Sequence, residues 1–159
     1  MALSNDSGRP LGVSVVIPTI NRDAVLAETV RDMLAQDFDD YEILIVDQSE
    51  VINTEVLALA QQSTRTDVRY FKAHFMGLPQ ARNFGWRNAR KDIVLYIDDD
   101  IRTGPNLVRA HFAAHLTTGA EMVAGGIDEA AGDSPSSDPP GTFNWWTATA
   151  IRNFCANQS

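Results

Sequence analysis

Residues 93–101 read IVLYIDDDI, an apolar run that ends in three consecutive aspartates. An uninterrupted run of this kind suits a strand buried on both faces of a parallel sheet. Open α/β sheets bind ligands beyond the carboxyl ends of their strands, and Asp98, Asp99 and Asp100 would stand there. Three adjacent anions repel one another unless a cation or hydrogen-bond donors offset them. Oxygen ligands in a row favour a hard cation, Mg²⁺ or Mn²⁺, and a phosphate is the natural second partner of such an ion.

Working outward from this run, the same pattern recurs. Val13–Pro18 (VSVVIP), Glu42–Asp47 (EILIVD) and Val68–Ala73 (VRYFKA) predict three further strands, and Asp92–Asp98 the fourth. Four helices are predicted between and after them. The first runs from Asp23, read as its cap, to about Gln36, with Leu26, Val30, Met33 and Leu34 on one face. The second covers Thr54–Gln62. The third begins around Pro79, a residue suited to a first turn, and reaches about Arg90. The fourth covers Pro105–Leu116, and Glu121–Gly125 predicts the start of a fifth strand. This alternation specifies an α/β fold: a mainly parallel sheet between helices on both faces, a three-layer α/β/α sandwich. Residues 1–11 are expected to be disordered and 12–159 to form a single domain. The stretch 130–141 (AAGDSPSSDPPG) is expected to be a mobile loop, because it has too little apolar surface to offset its ordering entropy.

Composition narrows the function. The 159 residues are 44% hydrophobic and 21% charged, as in a globular domain, and carry a formal charge of −8. A chain this acidic is a poor ligand for nucleic acid through its overall field, so any phosphate must be bound locally. The single cysteine, Cys155, excludes an intrachain disulfide and is read as an inert apolar residue in a reducing compartment. No segment reaches the roughly 18 apolar residues that span a bilayer. The polar first ten residues lack the plan of a signal peptide. The expectation is a cytoplasmic protein, with any contact to the inner membrane face made through partners.

Three strand ends supply polar groups to one edge: Pro18, Thr19, Asn21 and Arg22; then Asp47, Gln48 and Ser49; then Asp98, Asp99 and Asp100. The third helix adds Arg82 and Asn83 near its N-terminus, a combination that favours anions. Each residue has a plainer reading. A lone aspartate ending a strand, such as Asp47, is more often a turn former. Three acids in a row exceed what a cap requires. His111 and His115 are four apart, which zinc tolerates, but neither an HExxH pattern nor a cysteine partner accompanies them. Trp145 and Trp146 are read as packing residues rather than a sugar-stacking platform.

Four stretches carry a resemblance: SVVIPTINR (14–22), EILIVDQS (42–49), GLPQARNFGWRNA (77–89) and DIVLYIDDD (92–100). In this order and spacing they resemble the family 2 glycosyltransferases of the GT-A fold. The resemblance implies metal-assisted, inverting transfer of a sugar from a nucleotide-diphospho-sugar to the hydroxyl of a saccharide or lipid-linked acceptor. It implies that Pro18, Thr19, Asn21, Arg22 and Ser49 line a nucleotide pocket, that Asp47 accepts a hydrogen bond from the base, and that Arg82 approaches the nucleotide. Asp98-x-Asp100 matches the family's DxD motif. Asp98 and Asp99 would then face the nucleotide, and Asp100, with Asp98, the Mg²⁺ or Mn²⁺. Residues 153–159 (NFCANQS) look like the opening of the segment that precedes the family's catalytic base. The expectation is therefore a donor half whose base lies beyond Ser159. Two alternatives stay open: a nucleotide-sugar-binding module without turnover, and a nucleotidyltransferase. The lack of a glycine after the first strand, where the chain reads PTINR, argues against the second.

Overall fold

A computed structural model describes residues 11–125, 143–144 and 149–150. Four strands, β1 (Val13–Thr19), β2 (Tyr41–Asp47), β3 (Asp67–Lys72) and β4 (Ile93–Tyr96), form one parallel sheet in the order β3-β2-β1-β4. Every residue of β1 and β2 is buried, as expected for central strands covered on both sides. Side chains alternate between the two faces. Val13, Val15 and Ile17 join Ile43, Ile45 and Leu95 under three helices, α1 (Asp23–Leu34), α2 (Thr54–Gln62) and α4 (Leu107–Thr118), which contribute Leu26, Val30, Val56 and Val108. Val16, Leu44 and Val46 face the other way, toward Ala81 and Phe84 of α3 (Leu78–Asn88). The three layers read from the alternation of elements are present.

Helix α3 sits close to the sheet because Gly85 has no side chain. A β-carbon there would collide with Cγ1 of Val16 and lie 3.1 Å from its Cγ2. At the foot of the sheet a buried acid joins three strands to the α3–β4 turn. Glu42 accepts hydrogen bonds from Ser14 Oγ (2.7 Å), the Arg90 amide (2.6 Å) and Arg69 (2.7 Å). A buried carboxylate is tolerable only when paired in this way.

Several boundaries differ from expectation. Asp23 does not cap α1: the helix begins at Asp23 itself, and Arg22 precedes it without a side-chain cap. The same helix stops at Leu34, so Gln36 is free to point its amide elsewhere. Strand β4 ends at Tyr96 and not at Asp98, although the Ile97 amide still bonds to the Val16 carbonyl at 3.1 Å. Helix α4 starts at Leu107, because Pro105 lends its carbonyl to the Asp37 amide at 2.7 Å. No strand forms over residues 121–125; the carbonyl of Ala120 instead meets His115 Nδ1 at 2.9 Å. The chain divides into two units, Met1–Ala120 and Glu121–Ser159. In the second, Phe143–Asn144 and Thr149–Ala150 pair antiparallel. The expectations for residues 1–10, 130–141, Trp145, Trp146, Cys155 and 153–159 lie outside the described residues.

Candidate donor-binding site

The chain order decides where a crevice opens. From β1 it steps to β2 and β3 on one side, then returns to place β4 on the other side of β1. Such a reversal is where open α/β sheets bind ligands. Pairing of β1 with β4 ends at Val16–Tyr96, whereas pairing with β2 continues to Thr19–Asp47. The strand ends therefore separate. A cleft of about 540 Å³ lies there, lined by Pro18, Thr19, Ile20, Arg22, Gln48, Met76, Gly77, Leu78 and Asp98–Asp100. An adjoining cavity of about 700 Å³ shares Ile20, Gln48 and Met76 and adds Asn21, Asp23, Ser49, Glu50 and Val51.

The three aspartates divide their work. Asp99 turns inward and accepts a 2.6 Å hydrogen bond from Thr19 Oγ1. Asp98 pairs with Arg82 at 3.4 Å, and Asp100 with Arg22 at 3.2 Å. These last two side chains stay about half exposed, at 57% and 45%. Exposed pairs of this kind add little to stability, so their partners can be exchanged at small cost. Hard oxygen donors at the rim of a polar cleft fit Mg²⁺ or Mn²⁺. Among the described residues no three His, Cys, Asp or Glu side chains converge on one point.

The ledge that carries the acids is fastened to α1. The Thr29 hydroxyl is shared between the carbonyls of Asp99 (2.9 Å) and Ile101 (3.0 Å). Asp32 accepts from the Thr103 amide (3.0 Å) and from Arg102 Nε (2.8 Å). Burial acts to raise the pKa of the Asp32 carboxyl, but the Arg102 hydrogen bond and the Thr103 amide outweigh it and hold the group below the usual range. Gln36 donates to the Gly104 carbonyl (2.9 Å) and accepts from the Val108 amide (3.1 Å). Positions 29 and 32 share one face of α1, and Gln36, just past the helix end, continues the same line, so α1 and the turn after it hold the segment from Asp99 to Val108.

Across the cleft, Asp47 lies under the floor and not in it. It is 1% exposed. One carboxylate oxygen accepts from the amide and hydroxyl of Ser49, at 2.8 and 2.5 Å, and the other from the Tyr70 hydroxyl. Both oxygens of Asp47, to which the resemblance gives the base-reading position, are thus bonded within the protein. Burial, reinforced by this bond to Asp47, pushes the Tyr70 hydroxyl above its ordinary pKa and keeps it a donor. Ser49 Oγ in turn accepts from the Asn21 amide at 2.8 Å. Asn21 adopts a left-handed conformation (φ 54°), which asparagine tolerates better than most residues. The sequence placed Gln48 only as one of the polar groups at the sheet edge, and gave Met76, Gly77, Leu78 and Ile20 no role. Neutral side chains form no charge or spacing pattern that would mark them.

The sheet order and the crevice at its switch point define a domain of the GT-A class. The chain belongs to glycosyl transferase family 2, whose model matches residues 14–157. It is 31% identical over 107 residues to the validoxylamine A glucosyltransferase of Streptomyces hygroscopicus subsp. limoneus, covering 65% of this chain and 23% of that one. It therefore spans about a quarter of that relative's length. Among solved structures it resembles S. aureus TarS 1-349 in complex with UDP-GlcNAc, with a TM-score of 0.64 at 17% identity, covering 79% of this chain and 38% of that one. It also resembles the mannosyltransferase PcManGT from Pyrobaculum calidifontis in complex with GDP-Man and Mn²⁺, with a TM-score of 0.56 at 24% identity and coverages of 60% and 30%.

Proposed function

We propose that the cleft at the ends of β1, β2 and β4 binds a nucleotide-diphospho-sugar and presents its sugar to an acceptor hydroxyl for transfer with inversion. One observation carries the reading: two half-exposed acids and two arginines, in pairs, stand around a polar cleft at the sheet's switch point. Asp98 and Asp100 would hold a divalent cation. When bound, that ion supplies electrostatic stabilisation of the diphosphate as the sugar leaves. Arg22 would bind a phosphate oxygen through its planar guanidinium. Thr19 fixes Asp99 and so the orientation of the acids on either side. The acceptor hydroxyl needs a base; Asp98 and Asp100 are assigned to the cation and Asp99 is held by Thr19, so another group supplies it. The solved relatives captured with UDP-GlcNAc, and with GDP-Man and Mn²⁺, support this choice of ligand class.

Calorimetry of the 159-residue chain with UDP, dTDP and GDP, with and without Mn²⁺, tests the reading. Saturable binding of at least one nucleotide that requires Mn²⁺ is expected. Absence of binding for all three would overturn it.

A further inference from the structure

Resting on the donor-site reading above, we infer that Gln48, and not Asp47, reads the nucleotide base, and that it does so by donating to a ring carbonyl. Two features of the cleft carry this. The first is the fixed amide of Gln48. The residue is 8% exposed and lines both cavities. Its Oε1 accepts a 2.6 Å hydrogen bond from the Gly77 amide. A backbone N–H needs an acceptor, so this contact determines which way the amide lies. Nε2 must then point away from Gly77, and among the described residues it has no hydrogen-bond partner. A donor held in one orientation by a backbone contact is prepaid for recognition.

The second feature is the surface around it. Met76 is 65% exposed, Leu78 46% and Ile20 36%, and all three border the same cleft. Apolar walls beside one oriented donor suit the face and the edge of a flat heterocycle. They do not suit a phosphate, which belongs at the other end with Arg22 and the acids. β2 and β4 flank β1 on opposite sides, so their ends stand about 10 Å apart at normal strand spacing. A ribose bridging that gap puts the diphosphate at β4 and the base at β2. Asp47 has the chain position for base recognition, but its oxygens are taken by Ser49 and Tyr70.

A free amide donor that meets the O4 or O6 position favours uracil, thymine and guanine, which carry a carbonyl there, over cytosine and adenine, which carry an amino group there. Gln48→Glu is the informative variant. It keeps an oxygen for the Gly77 amide and converts the free donor into an acceptor. The chain and the variant are titrated with UDP, CDP, GDP and ADP, and with pyrophosphate, all in Mn²⁺. The wild-type chain should prefer UDP to CDP and GDP to ADP. Q48E should lower both ratios roughly tenfold or more and leave pyrophosphate affinity unchanged. Ratios unmoved by Q48E, or equal losses for pyrophosphate and nucleotides, would overturn the assignment while leaving the donor site standing. A wild-type chain that binds pyrophosphate but no nucleotide would remove the donor reading itself, and this inference with it.

Discussion

At the scale of single residues, charge was legible and geometry was not. Three adjacent aspartates announce a site because repulsion demands a partner. Their separate duties, one acid turned to Thr19 and two offered to the cleft, appear only when β1 and β4 stand side by side. Asp47 shows the reverse case. Its place at a strand end allowed either a turn former or a base reader, but its burial under Ser49 and Tyr70 depends on the pairing of β2 with β3, which no local spacing encodes. Asp100 carries the clearest prediction. Its pair with Arg22 is exposed, so Asp100→Ala should change the urea midpoint by less than about 1 kcal/mol equivalent. Mn²⁺-dependent nucleotide binding by calorimetry should nevertheless be lost. Unaltered affinity would take Asp100 out of the cation site.

At the scale of elements, the periodicities located all four main strands and all four helices, α2 to the residue, but missed several other ends and placed a strand at 121–125 where none forms. Boundaries depend on local exchanges of hydrogen bonds, such as that between Pro105 and Asp37, which no periodicity encodes. The seating of α3 on β1 rests on one missing β-carbon. Gly85→Ala gains about 1 kcal/mol of helix propensity, but forces a methyl against Val16 at a cost of about 1–3 kcal/mol. A net loss in denaturant stability is expected, partly recovered by adding Val16→Ala, which makes room. A stabilised G85A would show that the helix shifts freely. Helix α4 brings a pH dependence. Burial, with the nearby charge of His115 second, holds the imidazole of His111 below its usual pKa. The folded chain therefore favours the neutral ring, while the unfolded chain protonates at about pH 6.5. The stabilisation is complete above that value and declines as pH falls toward the depressed folded pKa. Thermal melts between about pH 7.5 and 5 should show this slope, and His111→Gln should flatten it. An identical slope in the variant would place the titrating group elsewhere.

At the scale of the whole molecule, the alternation of elements implied a parallel sheet whose strand ends share one edge; the order β3-β2-β1-β4, and with it the place of the crevice, emerged only in the fold. The fastening of that crevice did not show in the sequence. The apolar stripe of α1 at Leu26, Val30, Met33 and Leu34 could be read directly. Thr29, Asp32 and Gln36 are polar and lie outside that stripe. All three are committed to the segment from Asp99 to Val108. A net charge of −8 makes this arrangement matter, since an anionic guest gains nothing from the long-range field and depends on contacts at short range. Acids on a segment fastened at Thr29, Asp32 and Gln36 arrive already in position. A guest docking against them forfeits little chain freedom, so whatever tightening accompanies its capture falls to the opposite wall, where Met76 and Leu78 stand exposed.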